Sequence, residues 1–174
     1  MPAVTGPALV AAALLALAGA QKLLDPVMTV GALRALRLPS SEALVRSGAA
    51  AELALGTAAI ALGGAVVWWL VALSYAAFAA FVGAALREGT MIGSCGCFGK
   101  EDTPPHPLHI VLDVGLAAVA AAAALSTSGA LIDELLDHPG QGAAVALLAA
   151  TGVYLVYAAF VELPRALAAG RASR

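Results

Sequence analysis

Five stretches of nearly unbroken apolar sequence limit what this chain can become. They lie at about residues 7–24, 43–62, 65–86, 108–125 and 143–163. Each approaches the ~20 residues that an α-helix needs to cross the hydrocarbon core of a bilayer. Lipid offers no partner to a bare backbone N–H or C=O, so a crossing segment of this kind folds as a helix. Only 11% of the residues are charged, against about 25% in a soluble domain. The expectation is an all-α integral membrane protein: one transmembrane bundle over residues 1–174 with about five spans, the first four forming a four-helix core. A net charge of −2 gives no electrostatic footprint for nucleic acid, so the lipid bilayer is the first partner.

The segments between the spans carry their own signals. Ala18-Gly19-Ala20 resembles a signal-peptidase site, but no Lys or Arg precedes the apolar run, so a retained helix is expected. From Asp25 to Ser41, Val27, Val30, Leu33, Leu36 and Leu38 recur at near-helical spacing, with Arg34 and Arg37 between them. That pattern predicts a short helix on the membrane surface, stopped by Pro39, with Ser40 or Ser41 capping the next span. In the second span, Gly48 and Gly56 suit close helix contacts. Gly63-Gly64 predicts a tight turn, and Trp68 and Trp69 stand where interface aromatics do. Leu131-Ile132 and Leu135-Leu136 suggest a second surface helix, and Pro164 is expected to end the fifth span.

Chemistry concentrates in Gly93-Ser94-Cys95-Gly96-Cys97-Phe98-Gly99-Lys100, which holds the chain's only two cysteines. Two are too few for a disulfide scaffold. A disulfide across one residue closes a small strained ring, and strain makes the bond more oxidising and easier to reduce. Gly96 removes bulk where the backbone must bend, and Gly93 and Gly99 let the loop fold tightly. A nearby cation such as Lys22, Lys100 or a protonated histidine would favour the reactive thiolate. A stabilising disulfide normally joins distant segments, and this pair joins almost none.

With five spans, the first loop, the cysteine loop and the C-terminal tail share one side, here called the motif side. Lys22 ends span one on that side. Glu52 lies on the order of 12 Å deep in span two. His109 and Asp113 are four apart in the first turns of span four and share a helix face. Ionisable groups inside a span are functional candidates, so Lys22, Glu52, His109 and Asp113 are read as groups that tune Cys95 and Cys97 or move protons. A structural ion pair of Lys22 with Glu52 or Asp113 is compatible with that reading.

Two other function classes fit the same residues. Cys95, Cys97, His106 and His109 form a Cys-x-Cys…His-x-x-His set that could bind or transport zinc or copper. Its single residue between the cysteines is shorter than the usual structural-zinc spacing, and Pro107 splits the histidines. The third class is a non-catalytic assembly subunit of a membrane complex.

Cys95-Gly96-Cys97-Phe98-Gly99 before a membrane helix resembles the signature of the methylamine-utilisation MauE family, grouped with DoxX-like membrane proteins. Gly19-Ala-Gln-Lys22-Leu23 and Glu52-Leu-Ala-Leu-Gly56 are similar to that family's pattern, and the resemblance runs from about Ala18 to Ala120. It implies a helical-bundle membrane protein that handles thiols and disulfides beside a thioredoxin-like partner, in maturation of a disulfide-rich periplasmic dehydrogenase subunit. The arrangement is similar to quinone-linked disulfide-forming membrane enzymes. Those enzymes carry a second cysteine pair, so here a partner or disulfide-bearing client would supply it and a quinone is an analogy only. The function expected is thiol–disulfide exchange through Cys95 and Cys97, a possible oxidoreductase activity, in the cell (inner) membrane.

Orientation sets two arguments against each other. Arg34, Arg37, Arg46, Arg87, Lys100 and the tail arginines gather on the motif side, and the opposite loops have no Lys or Arg. The positive-inside rule turns that side to the cytoplasm. The resemblance implies the outside, where lasting disulfides form, and the expectation follows it. Lys22 and Arg46 lie within spans and are candidates for pairing rather than loop charges.

Overall fold

The computed structural model describes residues 3–88, 105–126 and 130–172, and among them every regular element is a helix. These are α1 (Thr5–Leu24), α2 (Val27–Ala35), α3 (Glu42–Ala61), α4 (Ala65–Arg87), α5 (Pro107–Ser126), α6 (Leu131–Asp137) and α7 (Pro139–Ala172). Helices α1, α3, α4, α5 and α7 are long and apolar enough to cross a membrane. Each falls on one of the five apolar runs. The short helices α2 and α6 fall on the two segments for which short helices are expected.

Side-chain neighbours fix the directions of the spans. Gly6 of α1 lies beside Val145 of α7, and Val10 beside Gly152, so these two helices run parallel. The end of α1 meets the middle of α3, where Lys22 pairs with Glu52. Helices α3 and α4 are joined by Gly63 and Gly64, whose positive φ angles of 66° and 89° make the hairpin turn. The start of α5 meets the far part of α7 through His109 and Phe160. Successive spans therefore alternate in direction, and the start of α1 and the end of α7 lie on opposite faces.

Two antiparallel pairs dominate the packing, α1 with α3 and α4 with α5. Alanine and glycine make this close approach possible. A Cβ on Gly19 would stand 2.5 Å from the Ala49 carbonyl oxygen, and one on Gly56 would stand 2.5 Å from that of Ala12. Each glycine thus faces the backbone of the other helix, and a larger residue at either would push α1 and α3 apart. The main core joins Leu14 and Leu15 of α1, Trp68 and Val71 of α4, Leu116 of α5, and Phe160 and Val161 of α7. Helix α7 has the smallest buried share of the five spans, yet it adds Phe160 and Val161 to the core.

Four local expectations need correction. Helix α2 stops at Ala35, ahead of Pro39. Arg37 takes a left-handed φ of 56°, with Arg37 N–H donating to the Arg34 carbonyl and Leu38 N–H to that of Leu33. That is the Schellman closure, with arginine where glycine is usual, so the helix ends by its own cap. Pro164 does not end the last span, because α7 runs through it to Ala172. Trp68 is wholly buried in the bundle, and only Trp69 is exposed as an interface aromatic would be. Gly48 makes no close helix contact, since a Cβ there would meet nothing within 4 Å. Ser41 does cap α3, accepting from Leu44 N–H at 3.2 Å.

Candidate functional site

The α1/α3 crossing sets up the first half of the site. Lys22 stands one turn beyond Gly19, and Glu52 one turn before Gly56, so the close crossing brings the two side chains together. Lys22 Nζ donates to Glu52 Oε1 at 2.9 Å and to Oε2 at 2.8 Å. Their side chains are 5% and 16% exposed. The ammonium also lies 4.4 Å from the centroid of the Phe78 ring of α4, a cation–π contact that strengthens where water is excluded. A charge inside a span is costly unless paired, and here the carboxylate and the ring face share the cation. The ion-pair alternative for Lys22 is therefore realised with Glu52.

Helix α5 supplies the second half. His109 and Asp113 are both buried, on the one helix face that their spacing of four sets. The His109 ring stacks on Phe160 with centroids 5.6 Å apart and planes 9° from parallel. Its Nε2 lies 2.9 Å from the Phe160 carbonyl oxygen, which can only accept, so Nε2 carries the proton. Its Nδ1 accepts the His106 backbone N–H at 3.3 Å. Pro164 has no N–H for the carbonyl four residues before it, which is that of Phe160. His109 donates to that oxygen, so the carbonyl that Pro164 leaves without a helical donor is still satisfied.

Tyr75 of α4 joins the two halves and was not singled out from the sequence. It is buried and donates its hydroxyl to the Ala11 carbonyl of α1 at 2.6 Å. Its edge meets the Phe78 ring with centroids 6.0 Å apart. The only signal in the sequence was its place three residues before Phe78, on one helix face.

The structure thus brings Lys22 and Glu52 into contact and turns His109 and Asp113 into the same half of the bundle. Cys95, Cys97, Phe98 and Lys100 lie outside the described residues. Among those described, no group of three or more His, Cys, Asp or Glu side chains is placed to hold a metal. His106 Nδ1 accepts the Leu108 N–H at 3.1 Å. Both ring nitrogens of His109 are engaged, so metal ligation by His109 would require breaking one of those bonds. Arg46 pairs with Glu42 at 2.9 Å on an exposed face of α3.

These features define a polytopic helical membrane protein with a charge pair and two further polar side chains buried in one half of its bundle. The family model described as methylamine utilisation protein MauE matches residues 2–126, and the chain belongs to that family. The match runs from α1 through α5, leaving α6 and α7 beyond it. Comparison with curated proteins and with solved structures gives no match.

Proposed function

We propose that this protein is a thiol–disulfide redox protein of the cell (inner) membrane, exchanging electrons through Cys95 and Cys97 with a thioredoxin-like partner or a disulfide-bearing client. The observation that carries the reading is the spacing. The chain's only cysteines stand one residue apart in a glycine-rich segment, which favours a labile disulfide over a stabilising one. That segment joins α4 to α5, so it belongs to the side towards which Lys22, His109 and Asp113 lie in their helices. Membership of the MauE family supports the reading.

The exchange balances as follows. A thiolate of the pair attacks one sulfur of the partner's disulfide, breaking that S–S bond and forming a mixed disulfide. The second thiolate attacks the bridging sulfur of its neighbour, closing the Cys95–Cys97 disulfide and releasing the partner as a dithiol. Two electrons and two protons pass to the partner, and the reverse runs through the same mixed disulfide. Glu52, Lys22, His109 and Asp113 act on the thiols as tuning or proton-moving groups in this proposal. Their side of the bundle faces the extracytoplasmic compartment, where disulfides persist.

Differential thiol labelling before and after reduction tests the exchange. Cys95 and Cys97 are expected to convert together between two free thiols and an intramolecular disulfide. Two thiols that stay free under every redox condition would exclude it.

A further inference from the structure

The two extensive interfaces, α1/α3 and α4/α5, leave α3 and α4 only thinly packed against each other. Between them lies a cavity of about 350 Å³, within the roughly 300–1,000 Å³ usual for small-molecule sites. Gly48 lines the α3 wall, Phe78 and Phe81 the α4 wall, and Leu33 of α2 reaches it from the motif side. Lys22 and Glu52 give it one charged end, Thr29 of α2 adds a hydroxyl, and the other described lining residues are uncharged.

We infer that this cavity binds one lipid-soluble molecule with an apolar body and an uncharged head that donates a hydrogen bond to Glu52, such as a hydroxyl. The apolar walls and the two phenyl rings select the body. Charge selects against an ionised head, because the Lys22 and Glu52 charges already cancel and the described lining holds no other. Lys22 already gives N–H bonds to both carboxylate oxygens and faces the Phe78 ring. Acceptor capacity remains, since a carboxylate offers about four lone-pair sites and Glu52 is the more exposed of the pair. A ring-bearing hydroquinone and a monoacylglycerol share this chemistry. The site shares Lys22 and Glu52 with the thiol reading but needs no cysteine.

Photolabelling of the full chain with a diazirine-bearing long-chain alcohol tests it, read by peptide mass spectrometry. Saturable labelling of α3 and α4 at the cavity is expected, with the same chain ending in a carboxylate labelling about tenfold less. Gly48→Leu should abolish the cavity labelling, because the new side chain has open space to fill. Gly115→Leu, equally unobstructed but on α5 outside the lining, should leave it unchanged. Ala77→Leu fills the same cavity from α4 and replaces Gly48→Leu if that variant misfolds. Competition by a decyl-tailed hydroquinone or by a monoacylglycerol of equal chain length supports the site, and the stronger competitor identifies the source. Equal labelling by alcohol and carboxylate, labelling that survives both filling variants, or no competition by either compound would overturn the inference.

Discussion

Lys22 is a residue whose worth depends on its partner. Replacing Glu52 by alanine leaves a buried ammonium without its carboxylate, and loss of one member of a buried pair costs about 3–5 kcal/mol. The apolar double replacement Lys22→Met with Glu52→Leu removes both charges and is expected to cost much less. Thermal unfolding in one detergent compares the variants, and additive losses would mean that the pair is not coupled. The same proteins report on the thiols. Glu52→Ala and Asp113→Ala should change the pH-dependent alkylation of Cys95 and Cys97, whereas Asp133→Ala should not, because Asp133 is exposed on α6 in the opposite loop. Equal alkylation in all three would reduce the inward carboxylates to a structural role.

Among the elements, α7 is held by a bond that its own sequence cannot make. Pro164 withholds the N–H, and His109 of α5 donates to the Phe160 carbonyl instead. His109→Leu removes that donor and is expected to destabilise the bundle by about 1–3 kcal/mol. Pro164→Ala returns a helical N–H to the same oxygen, so His109→Leu should cost clearly less in that background. An unfolding cycle over the four proteins checks this, and equal costs in both backgrounds would show that His109 does not stand in for the missing helix bond. The α1/α3 crossing follows a related logic, since Gly19 and Gly56 give up side chains so that two backbones can meet.

For the whole molecule, the question is which way the bundle stands in the membrane. Ion pairs account for Lys22 and Arg46, but Arg34, Arg37 and Arg87 remain exposed on the motif side. Those three arginines favour a cytoplasmic motif side under the positive-inside rule, and the proposed disulfide chemistry requires the opposite. A membrane-impermeant maleimide applied to intact cells is expected to label Cys95 and Cys97 after mild reduction. Labelling only after the membrane is broken would place the pair in the cytoplasm and remove the extracytoplasmic part of the proposal.

The five spans were legible because a bilayer reads the chain locally: a run of about 20 apolar residues satisfies its own backbone as a helix whatever surrounds it. The inward face of His109 and Asp113 was legible for the same reason, since a spacing of four fixes a shared face within one helix. The signal for α7 at Pro164 misled because the compensating donor lies 55 positions earlier, at His109, and no local pattern carries that information. Trp68 misled likewise, because position near a helix end says nothing about which neighbour covers it. Only the tertiary structure decided that Lys22 takes Glu52 as its partner and that Tyr75 of α4 donates to the Ala11 carbonyl of α1. It also decided that α3 and α4 part to leave a cavity. Each of these depends on how two separate helices cross, and the crossing depends on where small residues on both allow their backbones to touch.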